Sequence, residues 1–316
     1  MRYFVTGGAG FIGSNFVEYL FKNITELTGV TIFDKFTYAA NPKNYTKFLS
    51  DPRLKIINGD VCDLPLLEKS MSNHDFVIHF AAESHVDRSI DDAAVFVQTN
   101  VVGTYNVLEA SRKTKIRTVI HVSTDEVYGS LAKGSADETY PLLPNSPYAA
   151  SKAASDLLAR SFNKTYDMDI RVTRSCNNYG KYQYPEKMIP VIINSILSNK
   201  KIPIYGDGSN IREWIHVDDH CAAILKVLKD GSPREIYNIG SGQFFTNLDL
   251  AKNICEIMGV STDLLMRVTD RLGHDFRYSI DSKKIHQMGL NKGIDWDVGI
   301  RDTVNWYKSN PDYWLT

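Results

Sequence analysis

Tyr148 and Lys152 stand four residues apart, a spacing that puts a phenol and an ammonium on one face of a helix. There the ammonium can lower the phenol's pKa and make a phenolate base accessible near neutrality. Upstream, Ser123 and Thr124 supply hydroxyls, and Asp125 and Glu126 follow directly. Hydride transfer needs only one acid or base at the carbinol oxygen. Eliminating water from a sugar also needs a base for an acidified C–H and an acid for the departing hydroxyl. Two adjacent carboxylates could meet that second demand.

A second constellation lies at the start of the chain, in Thr6-Gly7-Gly8-Ala9-Gly10-Phe11-Ile12-Gly13. Gly7 allows a tight turn, Gly10 lets the backbone approach a pyrophosphate, and Gly13 lets a helix pack closely on a strand. The helix N-terminus that follows is an anion site. Asp34, 27 residues after Gly7, falls where a carboxylate accepts hydrogen bonds from an adenosine ribose. Because it would repel a 2′-phosphate, NAD is expected rather than NADP.

The elements that must position these groups follow from the hydrophobic pattern. Short apolar runs at 3–6, 30–33, 54–57, 76–80, 118–122 and 170–174 alternate with segments of helical length. That rhythm predicts a doubly wound parallel α/β sheet of the Rossmann type, with right-handed crossovers packing stripes such as Val97, Val101, Tyr105 and Leu108 on the sheet. Beyond Gly180 the pattern is broken by Pro185, Pro190, Pro203 and the turn Gly206-Asp207-Gly208. Helical periodicity resumes at 217–228 and 248–258, and a return to the sheet is expected near 235–239. The expected division is a dinucleotide domain of residues 1–180 with about 213–240, and a smaller C-terminal substrate-binding domain of about 181–212 with 241–316.

Composition narrows the classes. Among 316 residues, 37 acidic and 36 basic side chains leave a net charge of −1, so no global field draws nucleic acid or an anionic membrane. No apolar stretch approaches the ~20 residues of a membrane span. Cys62, Cys176, Cys221 and Cys255 form no CxxC pair, and the opening Met1-Arg2-Tyr3-Phe4-Val5 reads as a strand rather than a leader, so a cytoplasmic location is expected. His216 and His220 lie four apart without a third ligand, and Asp218 is expected to cap the next helix; no metal is expected. His85 reads as structural or as a substrate-loop contact.

The glycine fingerprint with Tyr148, Lys152 and the hydroxyls of Ser123 and Thr124 resembles the extended short-chain dehydrogenase/reductase superfamily. Ala81-Ala82-Glu83-Ser84-His85-Val86-Asp87-Arg88-Ser89-Ile90, the run Ser123 to Gly129, Asn177-Asn178-Tyr179-Gly180, Tyr184-Pro185-Glu186-Lys187, Ile211-Arg212-Glu213-Trp214 and Thr269-Asp270-Arg271 narrow the likeness to the dTDP-glucose 4,6-dehydratases, over essentially the whole chain. The resemblance implies that Tyr148 removes the 4-hydroxyl proton, Thr124 orients it, Asp125 protonates the leaving 6-hydroxyl and Glu126 takes the C5 proton. It implies NAD contacts from Gly7, Gly10, Phe11, Ile12, Gly13, Asp34, Lys35, Asp60, Val61, Ala81, Ala82, Tyr148 and Lys152. It also implies nucleotide-sugar contacts from Ser84, Thr124, Asn177, Glu186, Lys187, Arg212, Asn247, Arg271 and His274, with both arginines near the diphosphate.

Related reactions remain alternatives: a UDP-glucose 4,6-dehydratase, or a nucleotide-sugar 4-epimerase or decarboxylase sharing the fold and the Tyr/Lys pair. Asp125 argues against the last two, which need no acid at C6. A non-catalytic NAD-binding regulator would need the fingerprint but no complete acid/base set. A homodimer through helices near 94–111 and 148–166 is the family expectation. Lys181, Leu272 and Ala40 depart from the family pattern, at positions in binding loops.

Overall fold

The computed structural model describes residues 1–290 and 293–313; residues 291–292 and 314–316, within the expected second lobe, lie outside the described residues. Among the described residues, twelve strands form three sheets: β1 (Arg2–Thr6), β2 (Gly29–Asp34), β3 (Leu54–Asn58), β4 (Phe76–His79), β5 (Thr118–Thr124), β6 (Ile170–Ser175), β7 (Asn177–Tyr179), β8 (Ile202–Tyr205), β9 (Ile211–His216), β10 (Ile236–Ile239), β11 (Phe244–Thr246) and β12 (Leu265–Val268). The main sheet has the order β10-β6-β5-β4-β1-β2-β3 and is parallel throughout. Strand order reverses between β1 and β4, and a parallel sheet binds ligands at the carboxyl ends beside such a switch point.

The long helices are α1 (Phe11–Asn23), α5 (Gly103–Lys113), α6 (Pro147–Tyr166), α7 (Met188–Leu197), α8 (Val217–Asp230), α9 (Asn247–Met258) and α11 (Trp296–Ser309); the shorter ones are α2 (Leu64–Met71), α3 (Val86–Asp91), α4 (Ala93–Phe96) and α10 (Lys283–Gln287). Successive strand residues face opposite layers. Val5, Ile32 and Ile78 pack with Phe16 and Leu20 of α1 and Ile224 and Val227 of α8. Their neighbours Phe4, Phe33 and Val77 pack with Leu67 of α2, Val107 and Leu108 of α5 and Phe162 of α6. Both faces are therefore covered, which explains why the strands read as nearly continuous apolar runs.

One expected stripe is displaced. Leu108 is buried, but Val97 is 51 % and Tyr105 43 % exposed. Residues 97–102 form a wide π turn within the helical run 93–113. The extra residue shifts the helical phase, so Asn100, Thr104 and Val107 face inward instead.

The second lobe has its own core, in which Ile189, Ile192, Leu250, Ile254, Ile300 and Tyr307 surround Tyr179 and Trp214. Its strands are short: β9 runs antiparallel to β11 and parallel to β7, and β8 pairs in parallel with β12.

Candidate active site

The glycine-rich turn after β1 takes the shape its sequence predicts. Gly7 has φ +67°, and a Cβ on it would lie 2.6 Å from the Ala81 amide nitrogen. A Cβ on Gly13 would lie 2.2 Å from the Gly7 carbonyl oxygen, whereas the nearest atom to one on Gly10 is 3.4 Å away. Helix α1 therefore sits hard against the turn while the approach over Gly10 stays open. Its N-cap, Gly10, brings no side-chain cap, which leaves backbone N–H groups for an anion. Asp34 Oδ2 accepts from the Ala9 amide at 2.9 Å and Oδ1 from the Phe36 amide at 2.8 Å. Burial raises its carboxyl pKa against the pull of those two bonds. On the rim Lys35 pairs with Asp60 at 2.7 Å. A bare turn, an uncapped helix and a carboxylate ending β2 together fit a dinucleotide.

Helix α6 opens with Ser146 as N-cap, its hydroxyl accepting from the Ala149 amide at 3.1 Å, and Pro147 in the first turn. Tyr148 and Lys152 thus face the end of β5. Lys152 Nζ donates to the Val122 carbonyl at 2.8 Å, and burial lowers its pKa to about 8 against the opposing charge of Asp156. Whatever lowering Lys152 exerts on the Tyr148 pKa is outweighed here. Burial first, then Glu126, raise the phenol above its usual range, opposed by its hydrogen bond with Thr124. The ammonium is spent on a carbonyl, so ionising the phenol requires further positive charge in the cavity. Behind Lys152, Asp156 accepts from Arg174 at 2.8 Å and lies 3.3 Å from His121.

Asn100, in the wide turn, fixes the loop after β4 to this helix. Its Oδ1 accepts from the Glu83 amide at 2.8 Å, and its Nδ2 donates to the Glu83 carbonyl at 3.0 Å and to Ser151 Oγ at 2.8 Å.

Thr124 ends β5 and Asp125 and Glu126 open a single 3-10 turn. Thr124 Oγ1 donates to Asp125 Oδ1 at 3.2 Å, while Asp125 Oδ2 is buried without a partner. Burial, then Glu126 and Glu213, raise the Asp125 pKa well above the carboxylate range, opposed by Arg212. A carboxyl so placed holds its proton and suits an acid. Burial also raises Glu126, against Arg212, Arg271 and Lys187.

On the opposite wall, Lys187 donates to the Ser84 carbonyl at 2.7 Å and Arg271 pairs with Asp87 at 3.3 Å, its Nε buried and unpartnered. Glu186 takes Tyr38 and Arg88, and His274 lies 2.6 Å from Asp270. Arg212 Nη1 and Nη2 donate to the Ile211 and Asp275 carbonyls, both at 2.8 Å, with the guanidinium over the Tyr278 ring. Much of its fork is thus committed to backbone. Arg271 is the freer anion ligand of the two.

One cavity of about 640 Å³ gathers these residues. Gly7, Gly10, Phe11, Ile12, Gly13, Asp34, Lys35, Asp60, Val61, Ala81 and Ala82 line one end. Thr124, Glu126, Tyr148 and Lys152 line the middle, and Ser84, Asn177, Glu186, Lys187, Arg212, Asn247, Arg271 and His274 the other end. Asp125 is the exception: only 2 % exposed, it sits behind the wall, bonded to Thr124. Sequence reasoning missed Tyr278 and Trp214, which also line the cavity. Trp214 stood inside a motif already quoted; Tyr278 follows Arg271 by seven residues, with no spacing rule to single it out.

One helix-cap reading changes. His216, not Asp218, caps α8, its Nδ1 accepting from the Asp218 amide at 3.2 Å. His220 is fully buried and lies 2.7 Å from Asn178 Oδ1, with its pKa lowered by burial to about 3. His85 caps α3 and lines the cavity. Of the departures from the family pattern, Lys181 pairs with the buried Glu18 at 2.9 Å, Ala40 lines the cavity and Leu272 is 77 % exposed.

Residues 4–303 match the family model described as GDP-mannose 4,6 dehydratase. The dTDP-glucose 4,6-dehydratase of Streptomyces niveus is 46 % identical, over 99 % of this chain and 95 % of its own length. That of an Actinoplanes species is 48 % identical, over 99 % of this chain and 100 % of its own. The crystal structure of DesIV, a dTDP-glucose 4,6-dehydratase from Streptomyces venezuelae with NAD bound, superposes with a TM-score of 0.98 at 47 % identity, covering 100 % of this chain and 99 % of that one.

Proposed function

This chain belongs to the family of nucleotide-sugar 4,6-dehydratases, and from that membership we propose that it converts dTDP-glucose to dTDP-4-keto-6-deoxyglucose with NAD as its cofactor. The reaction is oxidation at C4, loss of water across C5 and C6, and reduction at C6. The observation that carries it is that Thr124, Glu126, Tyr148 and Lys152 meet at the middle of one cavity with Asp125 bonded to Thr124 at its wall, a base set and an acid beyond what epimerisation needs.

Gly7, Gly10, Phe11, Ile12 and Gly13 would hold the pyrophosphate, Asp34 the adenosine ribose, Lys35, Asp60 and Val61 the adenine end, and Ala81, Ala82, Tyr148 and Lys152 the nicotinamide ribose. NAD, when bound there, supplies the hydride acceptor for C4. Tyr148 takes the 4-hydroxyl proton, with Thr124 orienting that hydroxyl. The C5 hydrogen, now α to a ketone, passes to Glu126, and Asp125 protonates the departing 6-hydroxyl. Arg271, Lys187 and Arg212 offset the diphosphate charge, while Ser84, Asn177, Glu186, Asn247 and His274 complete the nucleotide-sugar site. In this reading residues 1–180 with about 213–240 hold the cofactor, and about 181–212 with 241–316 hold the sugar nucleotide, save that Tyr179 and Trp214 pack in the core of the second lobe.

The working form is a cytoplasmic homodimer. Val95, Val97, Val102, Tyr105, Leu157 and Tyr166 leave an exposed apolar surface on the helical run 93–113 and on α6, of the kind that association covers. Among the described residues no helix is long and apolar enough to cross a membrane, and the four cysteines are unpaired. Purified protein offered dTDP-glucose, UDP-glucose and UDP-glucuronate in parallel should form the 4-keto-6-deoxy sugar fastest from the first. Decarboxylation or C4 inversion as the main product would overturn the reading.

A further inference from the structure

The reaction above returns the protein in a different protonation state from the one in which it began. Tyr148 starts as a phenolate and ends as a phenol, holding the proton of the 4-hydroxyl. Asp125 starts as a carboxylic acid and ends as a carboxylate, its proton gone in the water formed from O6. Glu126 ends as it began, since it gives C5 a proton after exchanging with solvent the one it took, and the hydride lifted from C4 is returned at C6. Every turnover therefore strands one proton on the phenol and leaves one missing from the carboxyl.

The surroundings restrict how that deficit is repaired. Asp125 is only 2 % exposed, so its contact with solvent is slight. Among the described residues its side chain has one hydrogen-bond partner, Thr124, whose hydroxyl donates to Oδ1 at 3.2 Å. A hydroxyl has a single proton, so with that proton aimed at Asp125 the Thr124 oxygen can only accept from its other neighbours. Those neighbours are the Glu126 amide, at 3.3 Å, and the Tyr148 phenol, which is in hydrogen-bonding reach. The charged groups facing Asp125 are Glu126, Glu213 and Arg212. Tyr148 O–H to Thr124 O–H to Asp125 Oδ1 is thus a chain with every donor pointing the same way.

Resting on the dehydratase reading, we propose that Thr124 is the proton relay that resets the enzyme between turnovers. As Thr124 Oγ1 takes the proton of the Tyr148 phenol it gives its own to Asp125 Oδ1. The O–H bond at the phenol breaks, one forms at the carboxyl, and the threonine hydroxyl is regenerated. No co-reactant is consumed. The proton taken from O4 of one sugar becomes the proton given to O6 of the next, and the resting pair shares a single proton.

The test compares the first turnover with later ones in holoenzyme supplied with dTDP-glucose. Thr124→Val should complete a first turnover at a reduced rate and then stall, with later turnovers slower than the first by on the order of 100-fold. Added imidazole buffer should speed the later turnovers alone, and Thr124→Ser should restore them. If Val slows first and later turnovers by one factor, or Ser fails to restore them, Thr124 only orients the sugar and the relay is wrong. A second readout needs no variant. In resting wild-type holoenzyme the tyrosinate ultraviolet band should grow and the carboxylic-acid infrared band fade at the same pH values, because the two groups titrate as one pair; titration of the two at unrelated pH values would overturn the shared proton. Wild-type protein that forms no 4-keto-6-deoxy sugar would instead sink the dehydratase reading itself.

Discussion

The Tyr278 hydroxyl reaches both Glu126 Oε2, at 3.4 Å, and Asp275 Oδ2, at 2.7 Å. It therefore stands between two carboxylates, with its hydrogen committed mainly to Asp275, and it carries the Arg212 guanidinium on its ring. Tyr278→Phe removes the donor that satisfies Asp275 and leaves that charge to act on Glu126. Exchange at C5 should slow by roughly tenfold, about the worth of one hydrogen bond to a charged group, while C4 oxidation changes little. Deuterium uptake at C5 in heavy water, set against single-turnover reduction of bound NAD, separates the two steps. Equal slowing of both would show that Tyr278 only supports the cavity.

Lys152 titrates within the working pH range, because burial lowers its pKa to about 8. Below that pH the ammonium is present and favours the Tyr148 phenolate; above it the charge is lost. Activity should fall as pH rises through about 8. Lys152→Met should lose that falling limb and show low activity that climbs only at higher pH, where Tyr148 ionises unaided. Tyr148→Phe should abolish C4 oxidation. Near-normal reduction of bound NAD by the Phe variant in a single turnover would refute its role as base.

The two neighbouring carboxylates should separate by label. With C4-deuterated substrate in ordinary water, deuterium should appear in the product methyl group. With unlabelled substrate in heavy water it should appear at C5. Asp125→Asn should still oxidise C4 yet lose water at least 100-fold more slowly, an amide being a poor proton donor, and Glu126→Gln should also slow C5 exchange. Deuterium returned to C4 with the 6-hydroxyl intact would mark an epimerase.

Since the hydride taken from C4 must come back at C6, releasing reduced cofactor would abort the cycle. Purified protein should therefore carry NAD and turn over without added cofactor, as acid extraction and chromatography can measure. Reduced cofactor accumulating in solution with each turnover would contradict this.

Glu18 sits buried at 4 % exposure, clamped by Lys22 at 2.6 Å, Lys47 and Lys181 at 2.9 Å. Burial alone would raise its pKa, but the three ammonium groups outweigh it and hold the carboxyl at about 2, below its ordinary 4.5. Because the folded value is the lower one, the stabilisation is fully present above about 4.5 and is lost as pH falls toward 2. It amounts to roughly 3 kcal/mol. Glu18→Gln should lower the urea midpoint at pH 7 and flatten the dependence of that midpoint on pH between 4.5 and 2. An unchanged dependence would mean that the clamp stabilises nothing.

Residues that act through backbone geometry were legible from the chain alone. Gly7, Gly13 and Asp34 obey spacing rules set by one turn and one strand, and α6 carries Tyr148 and Lys152 on the face that their spacing implies. The strands could be read because burial on both faces leaves nearly unbroken apolar runs. What spacing could not reveal was phase and depth. The π turn at 97–102 shifted the expected stripe by a residue, and the two adjacent carboxylates Asp125 and Glu126 proved to lie at different depths, one behind the wall and one on it. Tyr278 arrives from a part of the chain more than 150 residues beyond Glu126, a distance at which local pattern says nothing.

Asn100 adds a consequence of an evolutionary kind. One amide reads the Glu83 backbone in both directions and grips Ser151 besides, so the loop beside the dinucleotide turn and the helix bearing the phenol are indexed to the same side chain. Neither can drift by mutation without the other. An aspartate there would keep the shape but set oxygen against the Glu83 carbonyl, so the nearest genetic neighbour in size is closed to it. Diversification of substrate range has more room in the opposite lobe, where Glu186, Asn247 and Arg271 make no bond to Asn100. The fold thereby divides its own variability, holding one wall of the cavity in register while the other is left to change.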